Sequence, residues 1–319
     1  MRNRKTILLY PAFMALFAAC SHESVEIAGQ EQILLTSGVE SMKVAAAGTL
    51  GTQSSSIAAG RAVSAWVETS GTGEVLYKAW ELTADGKDGF SYEPMFFPES
   101  GSGIDVYAIH GPSFVSGTAF PEEPVAFTVA ADQSGSRDAY MGSDLLYAAR
   151  QGAAPGSGEI RLLFYHMLSK IEIAVIQGEG APELAESGAV TIPEVVLDGT
   201  FLPGRISEAG MQEQSSRAAM VSTGKTSGTL TVDGRLSGAS GSEVYNEAVV
   251  VPQAMGGKSI CFNLSSGGTL YYTIPEGTVF ESGKKYIYRI TMDLSGIHVS
   301  SGIVDWAPGG EESGTATVI

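Results

Sequence analysis

The side chains with which this 319-residue chain could do chemistry are few and scattered. His22, His110, His166 and His298 stand far apart, with none at the spacing of a metal-binding pair. His166 falls inside an apolar run beside Lys170, a context that predicts a satisfied core histidine rather than a ligand. Gly256-Gly257-Lys258-Ser259 and Gly224-Lys225-Thr226 end like phosphate-binding loops, but Pro252 and Ala219 stand where such a loop needs its first glycine. No Gly-x-Ser-x-Gly occurs to present a nucleophile. Glu122-Glu123 and Glu311-Glu312 sit among prolines and glycines and read as solvated loop charge, with nothing to pair them across a glycosidase cleft. Trp66, Trp80 and Trp306 could stack on sugars, although single tryptophans in strands more often fill cores. The expectation is therefore no enzyme, no metal and no cofactor.

The exception is Cys20. Met1–Thr6 carries Arg2, Arg4 and Lys5, and Ile7–Ala19 is a 13-residue apolar segment. That is too short to span a bilayer and fits a secretory signal peptide over residues 1–19. It ends in small residues directly before Cys20, the pattern of a bacterial lipoprotein, so Cys20 is expected to carry a lipid that holds the chain at the outer membrane. The other cysteine, Cys261, lies in the strand-like Ser-Ile-Cys-Phe-Asn-Leu and is expected in the core. The net charge is −16, and loss of the leader deepens it by three. Such a surface repels phosphates and anionic headgroups, so nucleic acid is not an expected partner.

Forty glycines interrupt short alternating apolar runs, a pattern of many turns and an all-β fold. In residues 160–164, Ile160, Leu162 and Phe164 alternate with Arg161 and Leu163, as in a half-buried strand. The apolar phase then slips to Ile171, Ile173 and Val175, which requires a bulge or a new packing partner between His166 and Lys170. The Ala-Pro-Gly-Ser-Gly tract before this run is the best boundary between two units. Lys285–Leu294 alternates cleanly, with Tyr286, Tyr288, Ile290 and Met292 on one face. No helix of convincing length is predicted after the leader.

Asp-Leu-Leu-Tyr-Ala (144–148) followed by Phe-x-His-x-Leu-x-Lys-Ile (164–171) is similar to the centre of the fimbrillin family, the lipoprotein subunits of type V pili. Val-Val-Val-Pro-Gln (249–253), the run from Gly267 to Val299 and Ile-Val-Asp-Trp (303–306) resemble the family's C-terminal part. The resemblance implies two transthyretin-like β-sandwich domains in tandem, here 20–155 and 156–319. It implies a fimbrial subunit at the cell surface that polymerises with other fimbrillin subunits and works in adhesion. It also implies an N-terminal strand, near 31–40, released when a trypsin-like protease cuts after a basic residue. Arg61 is the favoured cut site, with Lys43 the alternative. The vacated slot would be refilled by a C-terminal donor segment of a neighbour, about 303–319, ending in Val318 and Ile319. The competing reading is a monomeric surface lipoprotein that binds glycan through exposed tryptophans.

Overall fold

The computed structural model describes residues 30–39, 56–134, 137–234, 243–293, 296–305 and 311–312. The chain starts with β1 (Gln32–Ile33), β2 (Leu35–Val39), β3 (Ala62–Thr69), β4 (Val75–Ala84), β5 (Phe90–Ser91) and β6 (Met95–Phe96). β7 (Ile104–His110), β8 (Val125–Thr128), α1 (Arg137–Gly142), β9 (Leu146–Ala153) and β10 (Ile160–His166) follow. Next come β11 (Ser169–Gln177), β12 (Val190–Val196), β13 (Asp198–Phe201), α2 (Glu208–Gln212), α3 (Gln214–Met220), β14 (Val221–Thr223) and β15 (Ser227–Thr231). β16 (Asp233–Gly234), β17 (Glu243–Val250), β18 (Gln253–Ala254), β19 (Ser259–Asn263) and β20 (Thr269–Thr273) precede β21 (Val279–Phe280), β22 (Lys284–Asp293), β23 (Gly296–Asp305) and β24 (Glu311–Glu312). The fold is all-β. The helices are short and occupy stretches that read as polar turns.

Seven strands lie side by side in the order β2-β10-β9-β7-β3-β4-β5. This sheet is apolar on both faces. Val63, Ala65, Val67, Val106, Ala108, Leu146, Ala148, Leu162 and Phe164 point into a first core with Phe90 and Met95. The alternate residues Trp66, Tyr107, Ile109, Tyr147 and Tyr165 point into a second core, which they share with Phe201, Met211 and Met220 from the later part of the chain. A period-two strand can serve both cores because successive side chains leave opposite faces.

The second core continues between a six-stranded sheet, β16-β17-β11-β22-β23-β24, and a four-stranded sheet, β15-β12-β19-β20. Ile171, Ile173 and Val175 of β11 face Val190, Ile192, Ile260 and Phe262 across it. Cys261, expected in the core, is only half-buried.

The phase slip after Phe164 is a change of sheet. β10 bonds to β9 and β2 in the first sheet, and two residues later β11 bonds to β17 and β22 in the other. β10 thus belongs to the earlier sheet, and the chain crosses at Met167–Leu168, after the boundary expected at 155. Val125–Thr128, expected within the first unit, pairs with β13 instead. The junction is clamped by Arg205, whose guanidinium meets the buried carboxylate of Glu68 at 3.0 Å and the exposed carboxylate of Glu122 at 2.6 Å. The same group lies 4.4 Å over the Phe120 ring.

Candidate functional site

Residues 31–39 lie in a slot between β10 and the β5–β6 segment. Two short strands form, because the chain changes partners at Leu34. Gln32 and Ile33 pair antiparallel with Phe96 and Met95, and Phe97 donates its amide to the Glu31 carbonyl at 2.9 Å. Beyond Leu34, β2 runs parallel to β10 in five residue pairs, from Leu35 with Ile160 to Val39 with Phe164. On its other side the Ser37 amide donates to the Asp88 carbonyl at 2.7 Å, and Thr36 bridges Gly89.

The partner change would strand the Ile33 carbonyl and the Leu35 amide. Tyr92 takes both: its hydroxyl accepts from the Leu35 amide at 2.7 Å and donates to the Ile33 carbonyl at 3.0 Å. Burial raises the Tyr92 pKa, with the Leu35 amide opposing, so the hydroxyl keeps the proton it donates. At the segment's start, the Glu31 carboxylate accepts the Gly156 amide at 2.8 Å and so fixes the β9–β10 turn. Gly156 sits there at φ +80°, a conformation that a side chain would strain.

Ile33, Leu35, Ser37 and Val39 turn inward and are each at most 4% exposed. The three apolar members join the first core beside Phe90 and Phe164. At ~1.5–3 kcal/mol per buried side chain, they contribute roughly 5–9 kcal/mol gross, an upper figure because an unfolded chain already buries part of this area. Gly38 faces the other way, and a Cβ there would stand 2.5 Å from Nη2 of Arg161.

Arg61 lies just before β3 and is half-buried. Its carbonyl accepts the Ala84 amide at 2.9 Å, and Nδ1 of His110 lies 2.8 Å from the next carbonyl, that of Ala62. A protease cutting after Arg61 must first lift it from the sheet, whereas Ile57, fully buried four residues earlier, would leave with the released piece. Cys20, Lys43, Trp306, Val318 and Ile319 lie outside the described residues. Ile303, Val304 and Asp305, expected to begin the donor segment, are integral to β23 and pair with Tyr286, Lys285 and Lys284.

The remaining candidates for chemistry are structural. His166 places Nδ1 3.0 Å from Asp144, with both side chains buried. Burial lowers the His110 pKa. No cluster of three or more metal-ligating side chains occurs among the described residues. Trp66 is fully buried, donates to the Thr118 carbonyl at 2.8 Å and meets Phe114 and Phe120 edge-on, so it forms no sugar platform. Trp80 is half-buried, and its indole N–H is bonded to the Glu93 carbonyl at 2.8 Å. No helix among the described residues is long and apolar enough to cross a membrane. Tyr92, Glu31 and Asp88 went unnoticed in the sequence because their roles are long-range pairings that no local spacing signals.

Comparison with known proteins gives one picture. A family model described as fimbrillin-like matches residues 51–306. A candidate fimbrium subunit of Bacteroides uniformis, Fim1C, is 26% identical over 183 residues, 54% of this chain. The match spans 55% of that protein's length. Crystal structures of candidate cell adhesion proteins share the fold. One from Bacteroides ovatus superposes with a TM-score of 0.62 at 15% identity, over 89% of this chain and 100% of the other. One from Bacteroides uniformis gives 0.58 at 18% identity, over 86% and 98%.

Proposed function

Because the chain belongs to the fimbrillin-like family, we propose that it is a subunit of a cell-surface fimbria that works in adhesion, and that residues 31–39 are a provisional strand exchanged on assembly. The observation that carries this reading is the slot itself. The segment is held by backbone pairing on both sides and by an apolar inner face, and residues 40–61 separate it in sequence from β3. Its removal would leave β10 as an open edge with unpaired amides and carbonyls, which an extended segment of a second subunit can satisfy. The role is structural rather than catalytic.

In this reading a trypsin-like protease cuts after Arg61, or after Lys43, and frees the strand. The donor is the part of another subunit's expected 303–319 segment that follows β23 and its partner β24, with Val318 and Ile319 as its apolar end. Cys20 carries the lipid that holds the subunit at the outer membrane before assembly. Burial of Trp66 weighs against the glycan-platform alternative.

N-terminal sequencing of polymerised subunits, with and without deletion of 315–319, tests the reading. Polymers should begin at Ala62 and should not form from the truncated chain, whose monomer stays folded. Normal polymers from uncut, truncated protein would end it.

A further inference from the structure

On the face of β10 turned away from the first core, the β9–β10 hairpin and α2 enclose a half-open cavity of about 590 Å³. Small ligands occupy volumes of this order. Arg150 and Glu208 form one wall through an ion pair of 2.6 Å. Ser157, Glu159 and Arg161 also line it, and Leu163 supplies apolar surface. The hairpin is held from both ends, by the Glu31 carboxylate on the Gly156 amide and by the Asp105 carboxylate on the Gly152 amide at 2.8 Å. The cavity is therefore built on fixed backbone.

Arg161 sets this cavity apart. Among the arginines whose side chains are described, it is the one with no hydrogen-bond or ion-pair acceptor. Arg150 meets Glu208, Arg205 meets Glu68 and Glu122, Arg217 meets the Met211 carbonyl, and Arg61 and Arg289 are engaged too. The chain has 35 acidic residues against 19 basic ones, so acceptors are plentiful. Arg161 is exposed at the cavity, its guanidinium lying over Gly38 of β2, and such a planar group suits a carboxylate brought from outside, bound through two parallel N–H donors. Glu159 and Glu208 beside it disfavour a polyanion. They accept hydroxyl protons, and Leu163 suits a C–H face.

We propose that this cavity binds an acidic saccharide, with Arg161 taking a ring-borne carboxylate and Glu159, Glu208 and Ser157 taking ring hydroxyls. That chemistry is shared by hexuronates and sialic acids. The use of the pocket in adhesion rests on the fimbrial reading, whereas the binding itself does not.

Titration of the full chain with sialyllactose, with digalacturonate and with neutral lactose tests the inference and separates the two sources. Saturable binding of one acidic probe and none of lactose is expected. Arg161→Ala, checked for an unchanged circular-dichroism melt, should weaken it by about tenfold or more. Arg161→Lys, which keeps the charge without the fork, should recover only part of the loss. Gly38→Ala alters no lining residue but displaces the Arg161 guanidinium, so it should weaken binding as well. Three results would overturn the inference: no saturable binding of either acidic probe, lactose bound equally well, or undiminished binding by folded Arg161→Ala. A chain that polymerises yet binds neither probe refutes the pocket alone, and one that binds but never polymerises refutes the exchange alone.

Discussion

Two parallel ladders run through the described residues, and they are built to opposite ends. β11 and β22 pair over eight residues in the interior of a sheet, with β17 on the far side of β11. One face of that ladder is apolar from Ile171 to Val175 and from Tyr286 to Met292. The other carries Lys170, buried and in ion contact with Glu172 and Glu247, while Lys285 approaches Glu172 at 3.3 Å. β2 and β10 pair over only five residues, at the sheet's edge, and β2 arrives from a separate stretch of chain. A buried ion network binds strands together because each charge is intolerable without the others. An apolar plug such as Ile33, Leu35 and Val39 can be replaced by any strand of similar shape. The inner ladder thus carries charge-specific pairing, whereas the outer one rests on apolar fit alone, as the proposed exchange of β2 would need.

The largest effect should come from the inner ladder. Lys170→Ala leaves buried carboxylates without their main partner and should lower global stability by about 3–5 kcal/mol, read by denaturant unfolding of the whole chain. The same variant should be more sensitive to acid. Burial alone would push the Glu172 pKa up, but Lys170 and Lys285 outweigh it and hold it below the usual range. Its stabilising contribution is present above the unfolded carboxylate value of about 4.3 and is lost as pH falls through the lower folded value. Without Lys170 that loss should begin at higher pH. Unchanged stability in Lys170→Ala would erase the contrast between the ladders.

At the outer ladder, Ile33→Ala removes a fully buried side chain and should cost about 2–5 kcal/mol. The loss should fall on retention of the segment, so proteolysis after Arg61 should quicken while the second core melts as before. A uniform drop across both cores would show that the strand is no separate unit. Smaller again is Tyr92→Phe, which unpairs one amide and one carbonyl at a partly buried site and should cost about 1 kcal/mol. Hydrogen exchange at the Leu35 amide should rise. If protection there persists, another group takes over the bond.

Strand positions and inward faces were legible wherever alternation was clean. Ile160, Leu162 and Phe164 lie inward as their period predicts, and the slip before Ile171 marks a real change of partner. Ile33, Leu35 and Val39 share one face for the same reason. Partners were not legible. That β2 runs parallel to a strand more than a hundred residues away, or that Val125–Thr128 joins β13, depends on long-range closure that leaves no local trace. The role of Lys170 was not legible either, because one of its partners, Glu247, lies on a neighbouring strand far along the chain. The helices from Glu208 to Met220 were missed because glycines and serines masked a short period. Nor was the pairing of Ile303–Asp305 within β23 legible, since nothing in those residues separates an internal strand from a free segment.

The sheet that feeds two cores has a mechanical consequence. Bending the earlier part of the molecule away from the later part would draw Trp66, Tyr107, Tyr147 and Tyr165 out of their packing together, with the Tyr147 hydroxyl leaving the Gly204 carbonyl at 2.7 Å and Arg205 leaving Glu68. Aromatic side chains bury about 150–250 Å² each, so no soft hinge exists at that joint. Under tension along a fibre, the two packed parts of such a subunit would carry load together, as one stiff body.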